Sequence, residues 1–581
     1  MTDRHRRCVV LRGTEEETER QALECIEGLD EDHVLWVSDA GVHDRVHTPF
    51  VEVKRKLGVS YDVVVLDLHH GLNADVIGQC HGFIWGGGAL ILRMLPLGQA
   101  PKNNRARFVV HPYTPDDVGD RFYRRFEASL ARHHLDAPQR LRPAHRLVTG
   151  SAEQREVVEH LTRLFVVESP RVAVLISDRG RGKSSALGLA LRAALTTRSL
   201  RIAVTAANEA STAEVFRFAI PTEAEDHSSL IEYVRPEILA YTSTKYDVII
   251  VDEAAQLSVQ LLQCITLGHP DSRLALATTA QGYEGTGRGF VLRFIEWLKH
   301  QPRPVMSLNL NEPIRWDAQD PLETLVYDAL LLDASVAPQV DSFELSEISH
   351  SVIDRDSLFE NERLLRDFFG LLVHAHYRTT PSDLHRILDA PNLRLHVLTL
   401  NDRVVAATMI ALEGSLPQST SDAVYWGRAR VRGNALAETL ISHSGHQEAG
   451  ALSMVRSIRI AVHPDMRRRG LATLLVKQIH ESYQPDLFGT LFGVTEGLLR
   501  FRRSLGYEVI RVGASRGSRT GEPAVVMIRP VSQRARDLYE ALREELARDL
   551  PTQLDLQRVD GEVPLSPELE HALMRALPPP A

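Results

Sequence analysis

The chain has 581 residues, 44% hydrophobic and 25% charged, with a formal net charge of −9 at pH 7. That length exceeds one hydrophobic core and predicts roughly three or four domains. The composition excludes a disordered or fibrous chain, and the acidic balance speaks against a general nucleic-acid binder. Cys8, Cys25, Cys80 and Cys264 are scattered without a C-x-x-C pair, which excludes a disulfide framework and argues against a zinc site. No apolar run is long enough to span a bilayer, and the segment behind Met1–Arg7 is too short for a signal peptide. A soluble, cytoplasmic protein is expected.

Residues 1 to about 145 read as an α/β domain. Val34–Val37 and Val63–Asp67 are continuous apolar runs suited to buried parallel strands, and Ala89–Leu92 is a third. Gly86-Gly87-Gly88 ahead of it reads as a tight turn or, less simply, as a close approach to a ligand. The stretch holding Pro138, Arg140, Arg142 and Pro143 reads as a linker.

From about 146 to 315 strands and helices alternate, as in a doubly wound parallel sheet. Val172–Ile176 is a strand. Behind it, Ser177-Asp178-Arg179-Gly180-Arg181-Gly182-Lys183-Ser184 opens an Ala/Leu-rich helix that begins near Ser185. Glycines at 180 and 182 let backbone N–H groups curl around a phosphate, and the helix N-terminus faces the same anion. Lys183 would reach the β/γ-phosphates and the Ser184 hydroxyl would ligate Mg²⁺. Ser177 stands where the usual pattern has its first glycine. Val248–Val251 is an apolar strand ending in Asp252-Glu253, with Asp252 placed to hold Mg²⁺ and Glu253 to polarise the attacking water. The strand Leu274–Thr279 leads to Gln281, placed to sense a γ-phosphate. Arg315, in Pro313-Ile314-Arg315-Trp316, reads as an arginine finger or as half of a surface ion pair. Asp252-Glu253-Ala254-Ala255-Gln256 and Thr278-Thr279 resemble helicase motifs rather than those of a GTPase, and Gln154 stands where helicase-like proteins place a glutamine that reads adenine. Only one nucleotide core is legible, so processive unwinding is not implied.

Residues 316–390 read as mainly helical. Leu395–Leu400 and Arg403–Leu412 flank Asn401-Asp402, a hairpin signal. Ser457–Val462 is a strand, followed by His463-Pro464-Asp465-Met466, then Arg467-x-x-Gly470-x-Ala472 and an amphipathic helix to Ile479. Small residues at 470 and 472 allow helix-start amides to grip a pyrophosphate. The order that follows is the strand Leu491–Thr495, a helix to Leu505, then Gly506-Tyr507 and another strand. This succession resembles the GNAT acetyltransferase fold, in which the edge of Ile460, Ala461 and Val462 would pair with a pantetheine arm. Residues 350–530 carry 23 Lys and Arg against 18 Asp and Glu on an otherwise acidic chain, which suggests one surface that meets polyanions. Arg428, Arg430 and Arg432, with Arg500, Arg502 and Arg503, are candidate phosphate contacts or a solvated basic face. The charged, apolar-periodic segment after Pro530 reads as a helical tail.

With both sites in place, the chain from about Val9 to about Pro530 resembles the bacterial tRNA(Met) cytidine acetyltransferases. The resemblance rests on Gly180–Ser184, Val251–Ala255, Gln281–Phe290, Pro313–Trp316, Ala375–Arg378, Pro381–Leu384 and Arg459–Pro464. It implies an α/β multidomain fold: an N-terminal α/β domain (1–145), a P-loop RecA/helicase-like ATPase domain (146–335), a GNAT domain with a helical lead-in (336–530) and a helical tail (531–581). It also implies acetylation of N4 of the wobble cytidine of elongator tRNA(Met) from acetyl-CoA, with hydrolysis of ATP or GTP and with Mg²⁺ bound through the nucleotide. Gln154, Gly180, Arg181, Gly182, Lys183, Ser184, Ser185, Asp252, Gln281 and Arg315 would take the nucleotide. Ile460, Ala461, Val462, Arg467, Arg468, Arg469, Gly470, Leu471, Ala472 and Thr473 would take acetyl-CoA. The partner would be the tRNA anticodon region, with no membrane and no obligate protein partner. His463 and His376 are candidate bases for the proton that N4 must lose. The chain departs from the family at Gly497, where the family has an acidic residue, and at Arg502, which follows Phe501 where the family has Trp. Two rival functions stand beside this one: a protein-lysine acetyltransferase with an appended ATPase, and an RNA-stimulated NTPase chaperone.

Overall fold

In the computed structural model, described residues are 3–40, 46–56, 58–101, 103–144, 150–220, 230–279, 294–336, 343–375, 379–516, 522–559 and 567–575. They form two compact units, one of residues 1–104, 122–333 and 377–385, the other of residues 105–121, 334–376 and 386–581.

The first unit holds two parallel sheets. Strands β1 (Arg7–Arg12), β2 (Val34–Val37), β3 (Tyr61–Asp67) and β4 (Ile84–Met94) form a four-stranded sheet in the order β1-β4-β3-β2. Every residue of β3 is buried, as a parallel strand covered on both faces requires. The glycine triplet is not a turn: Gly86, Gly87 and Gly88 lie inside β4. A Cβ on Gly86 would stand 2.5 Å from the Arg315 carbonyl, and one on Gly88 would stand 2.2 Å from that of Asp62. The glycines thus admit neighbouring backbone, and Gly86 N–H donates to the Arg315 carbonyl at 3.1 Å. The segment expected as a linker is partly structural, because Leu141 is buried in this sheet's core and its N–H donates to the Cys25 carbonyl at 2.7 Å.

The second sheet of this unit runs β10-β5-β9-β8-β6-β7, all parallel. Its strands are β5 (Val172–Ser177), β6 (Ile202–Thr205), β7 (Ile231–Tyr233), β8 (Val248–Val251), β9 (Arg273–Thr279) and β10 (Val305–Leu310). β5, β8 and β9 are short apolar runs buried on both faces between two core clusters. Their carboxyl ends therefore share one edge, the edge at which open α/β sheets bind ligands. The two sheets of the unit are tied through Arg6 and Asp320, both fully buried, paired at 2.9 Å, with the Arg6 guanidinium 3.4 Å over the Trp316 ring.

The second unit is built on a seven-stranded sheet in the order β11-β12-β13-β14-β15-β17-β16. Its strands are β11 (Ser349–Ile353), β12 (Leu393–Leu400), β13 (Arg403–Gly414), β14 (Ser453–Val462), β15 (Leu487–Gly493), β16 (Glu508–Arg516) and β17 (Pro523–Pro530). The β12–β13 hairpin turns through Asn401 (φ 49°) and Asp402 (φ 60°), the left-handed pair that a two-residue loop requires. β11 interrupts the stretch expected to be helical. Its sequence, Ser-His-Ser-Val-Ile, is mostly exposed, so it lacks the apolar alternation that marks a strand. The tail packs into the unit: Leu538 and Leu542 enter one core and Leu546, Leu550 and Leu573 the other.

Candidate functional site

The loop after β5 has the backbone its glycines predict. Gly180 (φ 77°) and Gly182 (φ 83°) are left-handed, and the helix Lys183–Thr197 starts directly behind them. The loop is braced from outside. Ile314 N–H donates to the Gly180 carbonyl at 2.9 Å, and a Cβ on Gly180 would meet the Trp316 ring at 2.5 Å. Pro313–Trp316 thus acts as a wall of the P-loop. Arg315 turns its guanidinium away, with Nη1 donating to the Gly82 carbonyl at 3.3 Å and the cation 5.5 Å from the Trp85 ring. Arg181 is buried and pairs with Glu323 at 2.7 Å. Gln154 donates through Nε2 to the Gly182 carbonyl and to Ser185 Oγ, both at 3.0 Å. Arg181, Gln154 and Ser185 hold the loop's shape here. Glu323 carries no phosphate signature in its sequence neighbourhood, and Trp316, though it stands in the Pro313–Trp316 motif, gives no sign in the sequence that its ring packs on the loop.

Inside the loop the charged groups converge. Lys183 Nζ lies 2.5 Å from Glu253 Oε1. Thr279 donates to the same carboxylate at 3.2 Å, which the sheet order allows because β9 lies between β5 and β8. Glu253 itself is left-handed (φ 47°). Burial works to raise its carboxyl, but Lys183 overrides burial and the net direction is down. Asp252 is fully buried, and burial followed by the Glu253 charge raises its carboxyl to about 6, although Lys183 and the Ser184 hydroxyl work to lower it. Among the described residues, Asp252 Oδ2 has no hydrogen-bond partner, nor do the buried hydroxyls of Thr205 and Thr278 at the ends of β6 and β9. Orphaned buried oxygens on one sheet edge are what a missing ligand or ion leaves. Ser184 and Asp252 therefore fit Mg²⁺ delivered with a nucleotide, an ion that takes few protein ligands and keeps its waters or phosphates. Gln281 lies outside the described residues.

A pH dependence follows. A carboxyl raised to about 6 is still protonated below that pH and cannot ligate a cation. Mg²⁺-nucleotide affinity is expected to hold above pH 7 and to fall below pH 6, by up to about tenfold per pH unit. Titration calorimetry with a non-hydrolysable nucleotide would measure it, and a flat profile from pH 7 to 5 would remove Asp252 from the metal site.

In the second unit the sheet splits. β14 pairs with β15 only from Met454 to Ser457, while β15 continues to Gly493 along β17. Among the described residues, the β15-facing edge of Ile458–Val462 beyond Ser457 has no strand partner. A bulge at Ile458 accompanies the split, since the register against β13 jumps between Arg459 and Ser457. At the far end of β14, Arg468 (φ 61°) and Gly470 (φ 85°) are left-handed ahead of the helix Leu471–Ser482. Such alternation turns successive N–H groups into one concavity. The first helical bond runs from Leu474 N–H to the Gly470 carbonyl, so Leu471, Ala472 and Thr473 present amides with no helical acceptor. Arg467, Arg468, Arg469 and Gly470 are exposed, and a Cβ on Gly470 would meet nothing within 4 Å. A nest with open space and an unpaired strand edge fit a pyrophosphate and a pantetheine amide chain respectively.

Two expected residues sit elsewhere. His463 is 2% exposed, and its Nδ1 accepts the Asp465 N–H at 3.3 Å as the cap of a short helical turn. His376 lies outside the described residues. Arg502 is 5% exposed, so it belongs to no outer phosphate-binding face. It lies three residues beyond buried Leu499, on the apolar side of the helix Glu496–Arg503, and donates through Nη2 to Ser457 Oγ at 2.8 Å, where the sheet splits. Arg500 stays on the surface, paired with Glu496 at 2.7 Å.

Models of three protein families match the chain: the N-terminal region of the tRNA(Met) cytidine acetyltransferase TmcA over residues 1–136, the helicase domain of the RNA cytidine acetyltransferase NAT10/TcmA over 174–333, and GNAT acetyltransferase 2 over 367–487. Among similar proteins, the tRNA(Met) cytidine acetyltransferase TmcA of Nitrosococcus halophilus is 35% identical across 98% of this chain and 81% of its own length. The protein of that name from Haloferax volcanii is 35% identical across 92% of this chain and 78% of its own. That from Haloarcula marismortui is 33% identical across 99% and 82%.

Proposed function

The chain belongs to the tRNA(Met) cytidine acetyltransferase family, and we propose that it acetylates N4 of the wobble cytidine of elongator tRNA(Met), taking the acetyl group from acetyl-CoA and hydrolysing ATP or GTP with Mg²⁺. The observation that carries the finer reading is the presence of two phosphate nests in one chain, one behind β5 and one behind β14. Among the described residues no helix is long and apolar enough to cross a membrane.

The cytosine amine is a poor nucleophile, because its lone pair is delocalised into the ring. Positioning it against the thioester carbonyl is the main task. N4 attacks that carbonyl, the C–S bond breaks, N4 loses a proton and the departing sulfur gains one. The wobble base lies in a single-stranded loop, so turning it out of the stack costs less than it would in a duplex. Acetyl-CoA is already activated, so nucleotide hydrolysis serves to remodel or present the tRNA. Transfer of label from acetyl-CoA to purified tRNA, with and without ATP, tests this directly. Label on protein lysines would favour an acceptor of another class, and hydrolysis stimulated by RNA without any transfer would favour a chaperone.

Arg428, Arg430 and Arg432 are all exposed. Reversing the three to Glu is expected to weaken tRNA binding and flatten its salt dependence, similarly for cognate and non-cognate tRNA, because phosphate contacts carry no sequence information. Acetyl-CoA affinity should not change. Filter binding at two salt concentrations reads both effects, and unaltered tRNA affinity would make the patch an ordinary solvated face.

A further inference from the structure

β13 and β14 are joined not by a short turn but by residues 415–452, an insertion that folds onto one face of the sheet. Its Val424, Leu436 and Leu440 share a core with Met454, whereas Val455 packs with Val476 and Leu499 of the two helices on the other side. Successive strand residues face opposite ways, so the insertion lies across the sheet from the helices Leu471–Ser482 and Glu496–Arg503.

At its tip the insertion presents an aromatic pair in solvent. Trp426 is 67% exposed and Tyr425 40%, with their rings at 89° and centroids 5.2 Å apart. Of the chain's five tryptophans, Trp426 is the one classed as exposed. The turn that carries it is fastened down. Trp426 N–H donates to the Asp422 carbonyl at 3.1 Å, Arg428 N–H to that of Ala423 at 2.8 Å, and buried Val424 and Val431 anchor both flanks. Gly427, at φ 67°, makes the reversal. Arg428, Arg430 and Arg432 follow at alternate positions, all exposed. Arg430 pairs with Glu438 at 2.8 Å, a contact in which its side chain remains 82% exposed, and among the described residues Arg428 and Arg432 make no ion pair.

An indole in solvent on a hydrogen-bonded turn, followed by exposed cations of which only Arg430 has an acid partner among the described residues, matches what single-stranded nucleic acid requires: a face for a base to stack on and charges for the neighbouring phosphates. Protein interfaces also favour Trp, Tyr and Arg, but here the three arginines follow the indole closely in the chain, all exposed, and among the described residues two of them stand outside any ion pair. We propose that Tyr425–Trp426 is a stacking platform for an unpaired base of the substrate RNA, with Arg428, Arg430 and Arg432 holding the backbone beside it. The proposal rests on the tRNA acetyltransferase reading and adds to it the surface by which the acceptor's single-stranded loop is held. Acceptor RNA then meets the sheet on the face opposite the coenzyme-gripping helices.

The test uses the full chain with Trp426→Ala and Trp426→Phe, an anticodon stem-loop, a blunt RNA duplex of equal length, and full tRNA. Trp426→Ala is expected to raise the Kd and KM for tRNA roughly fivefold to a hundredfold, with the KM for acetyl-CoA unchanged. Phe, which keeps a ring, restores most of the loss. The salt slope of binding stays at the wild-type value for both variants, in contrast to the arginine reversals, because stacking releases no counterions. The stem-loop competes with tRNA for wild type and the duplex does not. Wild-type affinity in the Ala variant overturns the platform, as does equal competition by the duplex. A changed sedimentation coefficient with unchanged tRNA affinity overturns it in favour of a protein interface. Should the wild-type protein bind tRNA but fail to acetylate it, the enzymatic reading falls while the Kd comparison still decides the platform.

Discussion

Lys183→Ala is expected to abolish nucleotide hydrolysis, by at least about 100-fold, and to carry tRNA acetylation down with it while acetyl-CoA binds as before. The side chain has two tasks that the substitution removes together. It is the cation at the mouth of the left-handed Gly180–Gly182 loop, and it lies 2.5 Å from Glu253 as the counter-ion of a buried acidic pair. Without it, the buried Asp252–Glu253 pair loses its nearest counter-ion in a low-dielectric site, which favours one of them holding a proton. Asp252, already raised to about 6 with Lys183 present, is the one expected to do so. On the proposed reading, the substitution thus takes away a phosphate ligand and, through the carboxylate, the metal ligand. Phosphate release measured beside label transfer to tRNA separates the outcomes. Full acetylation by a variant that no longer hydrolyses nucleotide would mean that the two activities are uncoupled.

For Gly470→Glu the expected result is the reverse: loss of acetyl-CoA binding by 100-fold or more, with nucleotide hydrolysis retained. Open space around the Gly470 Cβ means the protein itself has no objection to a side chain there. The cost to the fold is confined to φ 85°, about 1–2 kcal/mol for a residue with a Cβ. The carboxylate would stand in the concavity formed by the amides of Leu471, Ala472 and Thr473, where an incoming pyrophosphate meets both bulk and like charge. Gly470→Ala isolates the backbone contribution and should bind acetyl-CoA far better than the Glu variant. Calorimetry with acetyl-CoA, alongside the hydrolysis assay and a thermal melt, reads all three. Loss of hydrolysis in a folded Glu variant would break the assignment of the two sites to separate units.

Both nests were legible in the sequence because each depends on local backbone geometry. A glycine that must be left-handed and a helix that begins directly behind an apolar strand are dictated within a dozen residues, and so are the hairpin at Asn401-Asp402 and the buried strands β3, β5 and β8. Resemblance across the whole chain then joined the two nests into one function. Only the tertiary structure decided what surrounds them. Trp316 and Glu323 stand more than a hundred residues from the loop they brace, and no local pattern links them to it. The glycines of β4 are needed because carbonyls from Arg315 and Asp62 approach, a constraint that exists only once the chain has folded. Arg502 read as a surface cation because charge alone suggests solvent, yet its position one turn beyond Leu499 carries it inward to Ser457 at the split. His463, chosen for its chemistry, became a cap because the adjoining turn needed an acceptor. The split appears only in the fold, where β14 leaves β15 beyond Ser457 while β15 keeps its other edge on β17, and the exposure of Trp426 comes from an insertion whose core lies elsewhere. Local sequence sets what a segment can form; which partner reaches a side chain, and whether water does, is set by contacts distant in the chain.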